Sequence, residues 1–138
     1  MRRIILATHG ELSTGMLKSV KMIVGDLADD IKTYSLYPGE SPSDYAKELE
    51  EEIQSQEDME FILITDIKGG SVHTALMQLV KYPNVRLFSG MNMNLVLDVI
   101  FCTQDIDREK NDELLDNARE GITSVSFNDV KRTIAEDF

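Results

Sequence analysis

Two stretches carry the main signal for the fold: Arg3-Ile-Ile-Leu-Ala-Thr-His-Gly10 and Phe61-Ile-Leu-Ile-Thr-Asp-Ile-Lys-Gly-Gly-Ser71. Each is an apolar run of strand length that ends on a reactive side chain, His9 in the first and Asp66 in the second. Contiguous β-branched and large apolar residues are typical of strands covered on both faces. Because open α/β sheets place their sites at the carboxyl ends of the strands, we expect His9 and Asp66 to emerge there side by side.

Strand and helix patterns alternate along the chain around these two stretches. We predict four strands, over residues 4–6, 31–36, 61–65 and 85–88, each followed by a helix. For the last of these helices, residues 92–102, a strand is the alternative because periodicity does not separate the two. The alternation predicts an α/β fold: a doubly wound, mainly parallel four-stranded sheet with helices on both faces.

Residue types at the helix ends support this reading. Ser13 and Ser41 are good N-cap residues, and Gly25 is placed to end the first helix. Apolar stripes at helical spacing are expected to face the sheet, and they include Met16, Leu17, Val20, Ile23 and Val24 in the first helix and Ala75, Leu76, Leu79 and Val80 in the third.

The last third of the chain carries weaker patterns. Residues 104–111 are polar and predict a loop, and residues 113–120 predict an amphipathic helix that ends at Gly121. Ile122 to Phe127 predicts a short strand added to the sheet, and residues 128–138 predict a short helix. No linker or internal repeat divides the sequence, so we expect one domain over residues 1–138.

Composition narrows the class of function. The 138 residues carry 14 basic and 25 acidic side chains, a net charge of −11, which argues against a nucleic-acid partner or an anionic membrane surface. No apolar run approaches the ~20 residues of a membrane span, and no signal-peptide pattern is present. The single cysteine, Cys102, lies in an apolar run and is expected in the core. A single cysteine cannot form an internal disulfide, which fits a reducing compartment, so we expect a cytoplasmic protein.

His9 is the candidate nucleophile. A neutral imidazole can attack through one ring nitrogen near neutral pH when an acceptor holds the proton on the other nitrogen. Asp66, at the end of the neighbouring predicted strand, is placed to orient the His9 ring and to stabilise the cation that develops.

The segment Gly69-Gly70-Ser71 is a candidate phosphate-binding turn. Glycines let backbone N–H groups approach a ligand closely, the start of the following helix adds partial positive charge, and the Ser71 hydroxyl can donate as well. A nucleophile, an orienting carboxylate and an anion-binding turn together indicate phosphoryl transfer through a phosphohistidine.

Several other readings stay open at this point. His73 can be a second phosphate contact or an ordinary surface histidine, and Lys68 can attract phosphate or simply be solvated. A metal site from His9, Asp66 and His73 is conceivable, but it lacks a recognisable ligand spacing. No nucleotide-binding loop of the GxxxxGK[ST] or GxGxxG type occurs in the sequence.

Four landmarks together resemble a known family. They are Ile5-Leu-Ala-Thr-His-Gly10, Tyr37-Pro-Gly-Glu40, Asp66-Ile-Lys-Gly-Gly-Ser71 and Ser89-Gly-Met-Asn92, and they span nearly the whole chain. The chain resembles the IIA component (EIIA) of the mannose/fructose, or mannose-type, class of the bacterial phosphoenolpyruvate-dependent sugar phosphotransferase system, the PTS.

The resemblance implies a phosphotransferase function. His9 would accept a phosphoryl group from the phosphocarrier protein HPr and pass it to the IIB component, while the membrane components IIC and IID move the sugar. Asp66 would pair with the His9 ring, the backbone of Gly69, Gly70 and Ser71 would hold the phosphate, and no metal or cofactor would take part. The family also implies a homodimer, in which an antiparallel strand, here Ile122 to Phe127, can be exchanged between subunits.

Two competing functions remain. One is a related phosphocarrier that serves dihydroxyacetone kinase, which the Gly69-Gly70-Ser71 turn and the Asn92 landmark disfavour. The other is a non-catalytic regulatory module on a flavodoxin-like sheet, which would not become phosphorylated on His9.

Overall fold

The computed structural model describes the backbone of residues 1–136 and the side chains of residues 1–133. Its centre is a four-stranded sheet with the strand order β2-β1-β3-β4. The strands are β1 (Arg2–His9), β2 (Lys32–Leu36), β3 (Glu60–Thr65) and β4 (Val85–Phe88). All three strand pairs are parallel, and β1 and β3 lie in the middle. The predicted doubly wound α/β sheet is therefore confirmed.

Helices follow each strand, as the alternating pattern predicts. They are α1 (Leu12–Val24), α2 (Pro42–Ser55), α3 (Ser71–Met77), α4 (Met93–Phe101), α5 (Arg108–Glu120) and α6 (Phe127–Glu136). Short 3₁₀ turns, Gly25–Ala28 and Gln78–Lys81, extend α1 and α3. Within the predicted segment 92–102, Met93–Phe101 are helical, and Asn92 caps α4 by accepting a hydrogen bond from the N–H of Leu95 at 2.8 Å. The helix reading of this segment is therefore right.

The two middle strands are buried on both faces, which explains their unbroken apolar sequence. Their side chains alternate, so that Ile5 and Leu63 face one side and Leu6 and Ile64 face the other. On the first side, α2 and α3 cover the sheet with Leu49, Ile53, Val72 and Leu76. Helices α1 and α4 contact each other and bury Val20, Leu95, Val96 and Val99. Each fully buried Leu, Ile or Phe side chain contributes roughly 1.5–3 kcal/mol.

The first helix begins differently from our expectation. Ser13 is not the N-cap residue: it lies inside α1 and is fully buried. Its N–H donates to Oγ1 of Thr8 at 2.8 Å, and its hydroxyl donates to the carbonyl of Tyr34 at 2.9 Å. The Thr8 side chain on β1 therefore accepts one of the backbone N–H groups that are left without a partner at the start of α1. Helical periodicity along α1 does not reveal this contact.

Two residues of the expected apolar stripes are exposed. Ile23, near the end of α1, is 58% exposed, and Val80, in the turn after α3, is 51% exposed. Both predictions of burial are wrong, because each residue lies where a helix gives way to a 3₁₀ turn and the 3.6-residue periodicity stops applying. Gly25 does end α1, with a positive φ of 59°. Cys102 is buried as expected.

Two expectations for residues 104–127 are wrong. Residues 108–111 are helical rather than a loop, because Asp107 caps α5 by accepting the N–H of Lys110 at 2.8 Å. Residues 122–126 form no strand in the described chain, and α6 begins at Phe127. The carboxylate of Asp129 accepts hydrogen bonds from both the N–H and the hydroxyl of Ser126, at 2.9 and 2.8 Å. This local cap favours a helix start over a strand.

The chain divides into two compact units. The first, Met1–Thr103, contains the sheet and helices α1 to α4, and the second begins at Gln104 and contains α5 and α6. The expectation of a single domain over 1–138 stays a prediction, and residues 137–138 of the predicted terminal helix lie outside the described residues. None of the helices in the described part combines the length and apolar character that crossing a bilayer requires.

Candidate active site

The structure brings His9 and Asp66 together at the carboxyl edge of the sheet. His9 is the last residue of β1, and Asp66 follows β3, the strand paired beside it. Oδ2 of Asp66 lies 2.8 Å from Nδ1 of the His9 ring and also accepts the backbone N–H of His9 at 2.9 Å. The His9 side chain is 48% exposed, whereas that of Asp66 is 11% exposed. The carboxylate is thus sheltered while the ring remains accessible.

The carboxylate of Asp66 stays ionised well below neutral pH. Burial alone would raise the pKa of Asp66, but hydrogen bonds from the N–H of His9, from its ring and from the N–H of Ile67 outweigh burial and lower the pKa. The bond from Ile67 reaches the other carboxylate oxygen, Oδ1, at 3.0 Å. Since an ionised carboxylate only accepts hydrogen bonds, the neutral His9 ring carries its proton on Nδ1 and leaves Nε2 as the lone-pair nitrogen.

The residues after Asp66 form a tight turn. The N–H of Gly70 donates to the carbonyl of Ile67 at 3.2 Å, and Gly69, the third residue of the turn, has a positive φ of 80°. A type II turn requires this φ at its third position, and glycine adopts it without steric cost. Lys68, the second residue of the turn, is exposed.

The turn places Gly70 and Ser71 against the His9 ring. The Ser71 hydroxyl lies 3.2 Å from Nε2 of His9. A Cβ atom on Gly70 would lie only 2.7 Å from Cγ2 of Ile67 and 3.2 Å from Cε1 of His9. Gly70 therefore matters for its lack of a side chain, since its own φ of −68° is accessible to any residue.

The backbone donors of the two glycines are engaged within the turn. The N–H of Gly69 donates to Nδ1 of His73, in the first turn of α3, at 3.0 Å. The N–H of Gly70 bonds the carbonyl of Ile67, as described above. The Ser71 hydroxyl is consequently the donor that the turn presents directly to Nε2 of His9.

Sequence reasoning missed two residues that shape the site. Thr8 is fully buried beside His9, and its hydroxyl oxygen anchors the start of α1. Ile67 is an exposed apolar residue between Asp66 and the glycines. The alternation of side chains along β1 could have indicated that Thr8 is buried and that its hydroxyl needs a hydrogen-bond partner. No such signal exists for Ile67, because its contact with Gly70 depends on the conformation of the turn.

The described residues contain no cluster of three or more His, Cys, Asp or Glu side chains arranged to hold a metal ion. His73 does not join the His9–Asp66 pair: its Nδ1 faces the Gly69 N–H. The site therefore consists of one ring nitrogen that the carboxylate does not bind, one carboxylate beside the ring and one hydroxyl. This set can support nucleophilic attack by Nε2.

Comparison with known proteins places this chain in a family. The family described as "EIIA-man: PTS system fructose IIA component" matches residues 3–118. The chain is 31% identical, over 97 residues, to the PTS system sorbose-specific EIIA component of Klebsiella pneumoniae, and the match covers 70% of each protein.

Solved structures agree with this match. A crystal structure from Klebsiella pneumoniae, provisionally described as a phosphoenolpyruvate-dependent sugar phosphotransferase system permease, superposes with a TM-score of 0.78 at 32% identity, covering 89% of this chain and 90% of the other. The mannose/sorbose-specific IIA subunit from Enterococcus faecalis superposes with a TM-score of 0.74 at 23% identity, covering 91% and 96%, which shows the shared fold. The chain therefore belongs to the mannose-type EIIA family of the bacterial sugar phosphotransferase system.

Proposed function

We propose that this EIIA component is a phosphoryl carrier that accepts a phosphoryl group from HPr on His9 and passes it to a IIB component. The observation that carries the proposal is that the two nitrogens of the His9 ring have different partners. Nδ1 is held by the sheltered carboxylate of Asp66 at 2.8 Å, whereas Nε2 lies 3.2 Å from the Ser71 hydroxyl, and the His9 side chain as a whole is 48% exposed. A nitrogen in that position can attack a phosphoryl group carried by another protein.

In the proposed reaction, the lone pair of Nε2 attacks phosphorus. The bond between phosphorus and the donor breaks, and the electron pair of that bond leaves with the donor. His9 keeps its proton on Nδ1, so the phosphorylated ring becomes cationic. The ionised Asp66 stabilises this cation, as a carboxylate behind a catalytic histidine does. Transfer to IIB is the same reaction in reverse, with the IIB nucleophile attacking phosphorus.

Gly69, Gly70 and Ser71 form the proposed phosphate-binding turn. Gly70 leaves room beside Cε1 of His9, and the positive φ of Gly69 gives the turn its shape. The hydroxyl of Ser71, 3.2 Å from Nε2, can donate to a phosphoryl oxygen once the ring is phosphorylated. A hydrogen bond to a charged group is worth about 1.5–3 kcal/mol, which would favour the phosphorylated form.

The surroundings of His9 support transfer between proteins. Three exposed apolar residues, Leu12, Tyr37 and Ile67, follow the carboxyl ends of the three strands nearest to His9. Apolar residues around an accessible nucleophile suit a transient docking surface. We propose that HPr and IIB use this surface in turn and that the membrane components IIC and IID act only through IIB.

The proposal includes a homodimer in the cytoplasm. Ile122, Val125 and Phe127 are 75%, 74% and 77% exposed in a single chain, an apolar set that a second subunit can cover. The sequence contains a single cysteine, Cys102, which is compatible with a reducing compartment. The sorbose and mannose/sorbose names of the relatives make sugars of that group the first to test.

The decisive experiment is phosphorylation from phosphoenolpyruvate with enzyme I and HPr. We expect one acid-labile phosphate per chain, on Nε2 of His9, as identified by phosphorus–nitrogen coupling in NMR spectra. His9→Ala should abolish labelling. His73→Ala, which removes the other histidine, should still reach full labelling.

Two results would count against the proposal. Absence of labelling in the wild-type protein would favour a non-catalytic regulatory module. Labelling that survives His9→Ala would show that another residue carries the phosphoryl group. If His9 is labelled as expected, transfer from the phosphorylated protein to a panel of IIB proteins, or to dihydroxyacetone kinase subunits, would identify the recipient.

A further inference from the structure

His73 contacts the active-site turn in a way that its position on the surface of α3 does not suggest. It lies in the first turn of α3, and its side chain reaches back past the N-cap Gly70 to Gly69, whose N–H Nδ1 accepts at 3.0 Å. Because Nδ1 is the acceptor, the neutral ring carries its proton on Nε2. The bond resembles the backward half of a capping box, which Glu or Gln usually provides.

The peptide between Lys68 and Gly69 is the part of the turn that this bond holds. Type I and type II turns differ mainly by a rotation of this central peptide, which reverses the direction of its N–H. The φ of 80° at Gly69 corresponds to the type II form. Since glycine also accepts the negative φ of a type I turn, Gly69 by itself does not select one form. The acceptor on His73 does select one, because the Gly69 N–H points toward it only in the form observed.

The form of the turn determines how the next two residues meet the nucleophile. Gly70 packs so closely that a Cβ atom there would lie 3.2 Å from Cε1 of His9, and the Ser71 hydroxyl lies 3.2 Å from Nε2. The other end of the turn is fixed by the bond between the Ile67 N–H and Asp66. The turn is thus fixed at its start by Asp66 and at its end by His73.

We propose that His73 is a positioning residue for His9: through its neutral Nδ1 it holds the Gly69 peptide and thereby keeps Gly70 and Ser71 in place against the His9 ring. A neutral acceptor suits this position, because a carboxylate there would add negative charge close to a phosphoryl group on His9. The proposal rests on the proposed carrier function for its kinetic consequence, although the structural part can be tested without any phosphoryl donor.

The test compares two nearly isosteric variants, His73→Leu and His73→Asn. Both side chains branch at Cγ like imidazole, but only Asn has an acceptor, Oδ1, where Nδ1 stands. Initial rates of His9 phosphorylation are measured against the concentration of phosphorylated HPr. For His73→Leu we expect a saturating rate about three- to tenfold lower, the effect of one neutral hydrogen bond, with an unchanged half-saturating concentration. His73→Asn should stay within about twofold of the wild type.

A second measurement uses NMR spectra of the unphosphorylated proteins. His73→Leu should shift the amide signals of Gly69, Gly70 and Ser71 and the Nε2 signal of His9, and His73→Asn should restore them. Wild-type rates in His73→Leu, or equally slow rates in both variants, would overturn the proposal. If the wild-type protein takes no phosphate, the carrier function fails, and unchanged Ser71 and His9 signals in His73→Leu would separately overturn the positioning role.

Discussion

A single oxygen atom of Asp66, Oδ2, contacts His9 twice, accepting its backbone N–H at 2.9 Å and facing its ring Nδ1 at 2.8 Å. The two residues are 57 positions apart in the chain, yet they lie at the carboxyl ends of adjacent parallel strands, where Thr65, the residue before Asp66, pairs with Ala7. The backbone bond fixes the carboxylate, and the carboxylate in turn fixes the ring. This relationship makes Asp66 the first residue to test.

Replacing Asp66 with asparagine should slow phosphoryl transfer to His9. The amide can still accept the N–H of His9, but it carries no charge to stabilise the phosphorylated imidazolium. By analogy with other groups that orient a functional histidine, we expect a loss of about 10–100-fold in rate. Rates are measured with phosphorylated HPr as donor. Asp58→Asn, at an exposed position before β3, is the matched control and should keep the wild-type rate. Equal rates in both variants would remove the orienting role of Asp66.

Asp66 should also make stability depend on pH in the acid range. Its pKa is lowered in the folded protein, mainly because the hydrogen bonds from His9 and Ile67 outweigh the opposing effect of burial. A group with a depressed folded pKa contributes stability above its unfolded pKa, about 3.9, and loses that contribution as pH falls through the folded value. The difference in urea midpoint between wild type and Asp66→Asn should therefore shrink below about pH 4. A difference that stays constant through this range would contradict the bonds to the ionised carboxylate.

Gly70→Ala should impair the site without straining the backbone. Its Cβ would lie 2.7 Å from Cγ2 of Ile67, so Ile67 or the turn must move, and the contact with the His9 ring changes as well. We expect destabilisation of about 1 kcal/mol and slower phosphorylation of His9. Gly15→Ala is the control: Gly15 lies within α1 and has no atom within 4 Å of its added Cβ, so alanine should stabilise the helix by about 0.5–1 kcal/mol. Thermal unfolding and labelling rates distinguish the two. Normal labelling of Gly70→Ala would show that the turn tolerates a side chain.

The exposed apolar residues near the start of α6 should support dimer formation. We expect light scattering to give the mass of two chains for the wild type, and the double variant Val125→Asp, Phe127→Asp to give the mass of one, because buried carboxylates without partners are costly. Met22→Asp, at an 89% exposed position on α1, should leave the mass unchanged. A dimeric double variant, or a monomeric wild type, would show that this segment does not join two subunits.

The central sheet and the proximity of His9 to Asp66 could be predicted because their signals are local. Residues such as Ile62 and Ile64 lie on strands buried on both faces, and this burial requires unbroken apolar sequence. Parallel strands bring their carboxyl ends to one edge, so the residues that end two neighbouring strands meet there. That rule was enough to place His9 beside Asp66.

The predictions that failed depend on contacts that the pattern of apolar residues does not show, such as a hydrogen bond from another strand or a change of helix type. Ser13 looked like a helix cap, yet a hydroxyl from β1 performs that role and Ser13 is buried. The apolar pattern of residues 122–127 is compatible with a strand, but the bonds between Ser126 and Asp129 begin a helix instead. Ile23 has the spacing of a core residue but lies just before the helix changes to a 3₁₀ turn.

Local sequence patterns were enough to predict the layered α/β architecture and to single out His9, Asp66 and residues 69–71, because hydrophobic periodicity and turn-forming glycines act over a few neighbouring positions. Three features became visible only in three dimensions: Asp66 engages Nδ1 of His9 and leaves Nε2, a side chain on Gly70 would meet Ile67, and His73 accepts the N–H of Gly69. Those features depend on distances of about 3 Å between side chains, which are set when strands and helices pack and leave no periodic trace in the sequence.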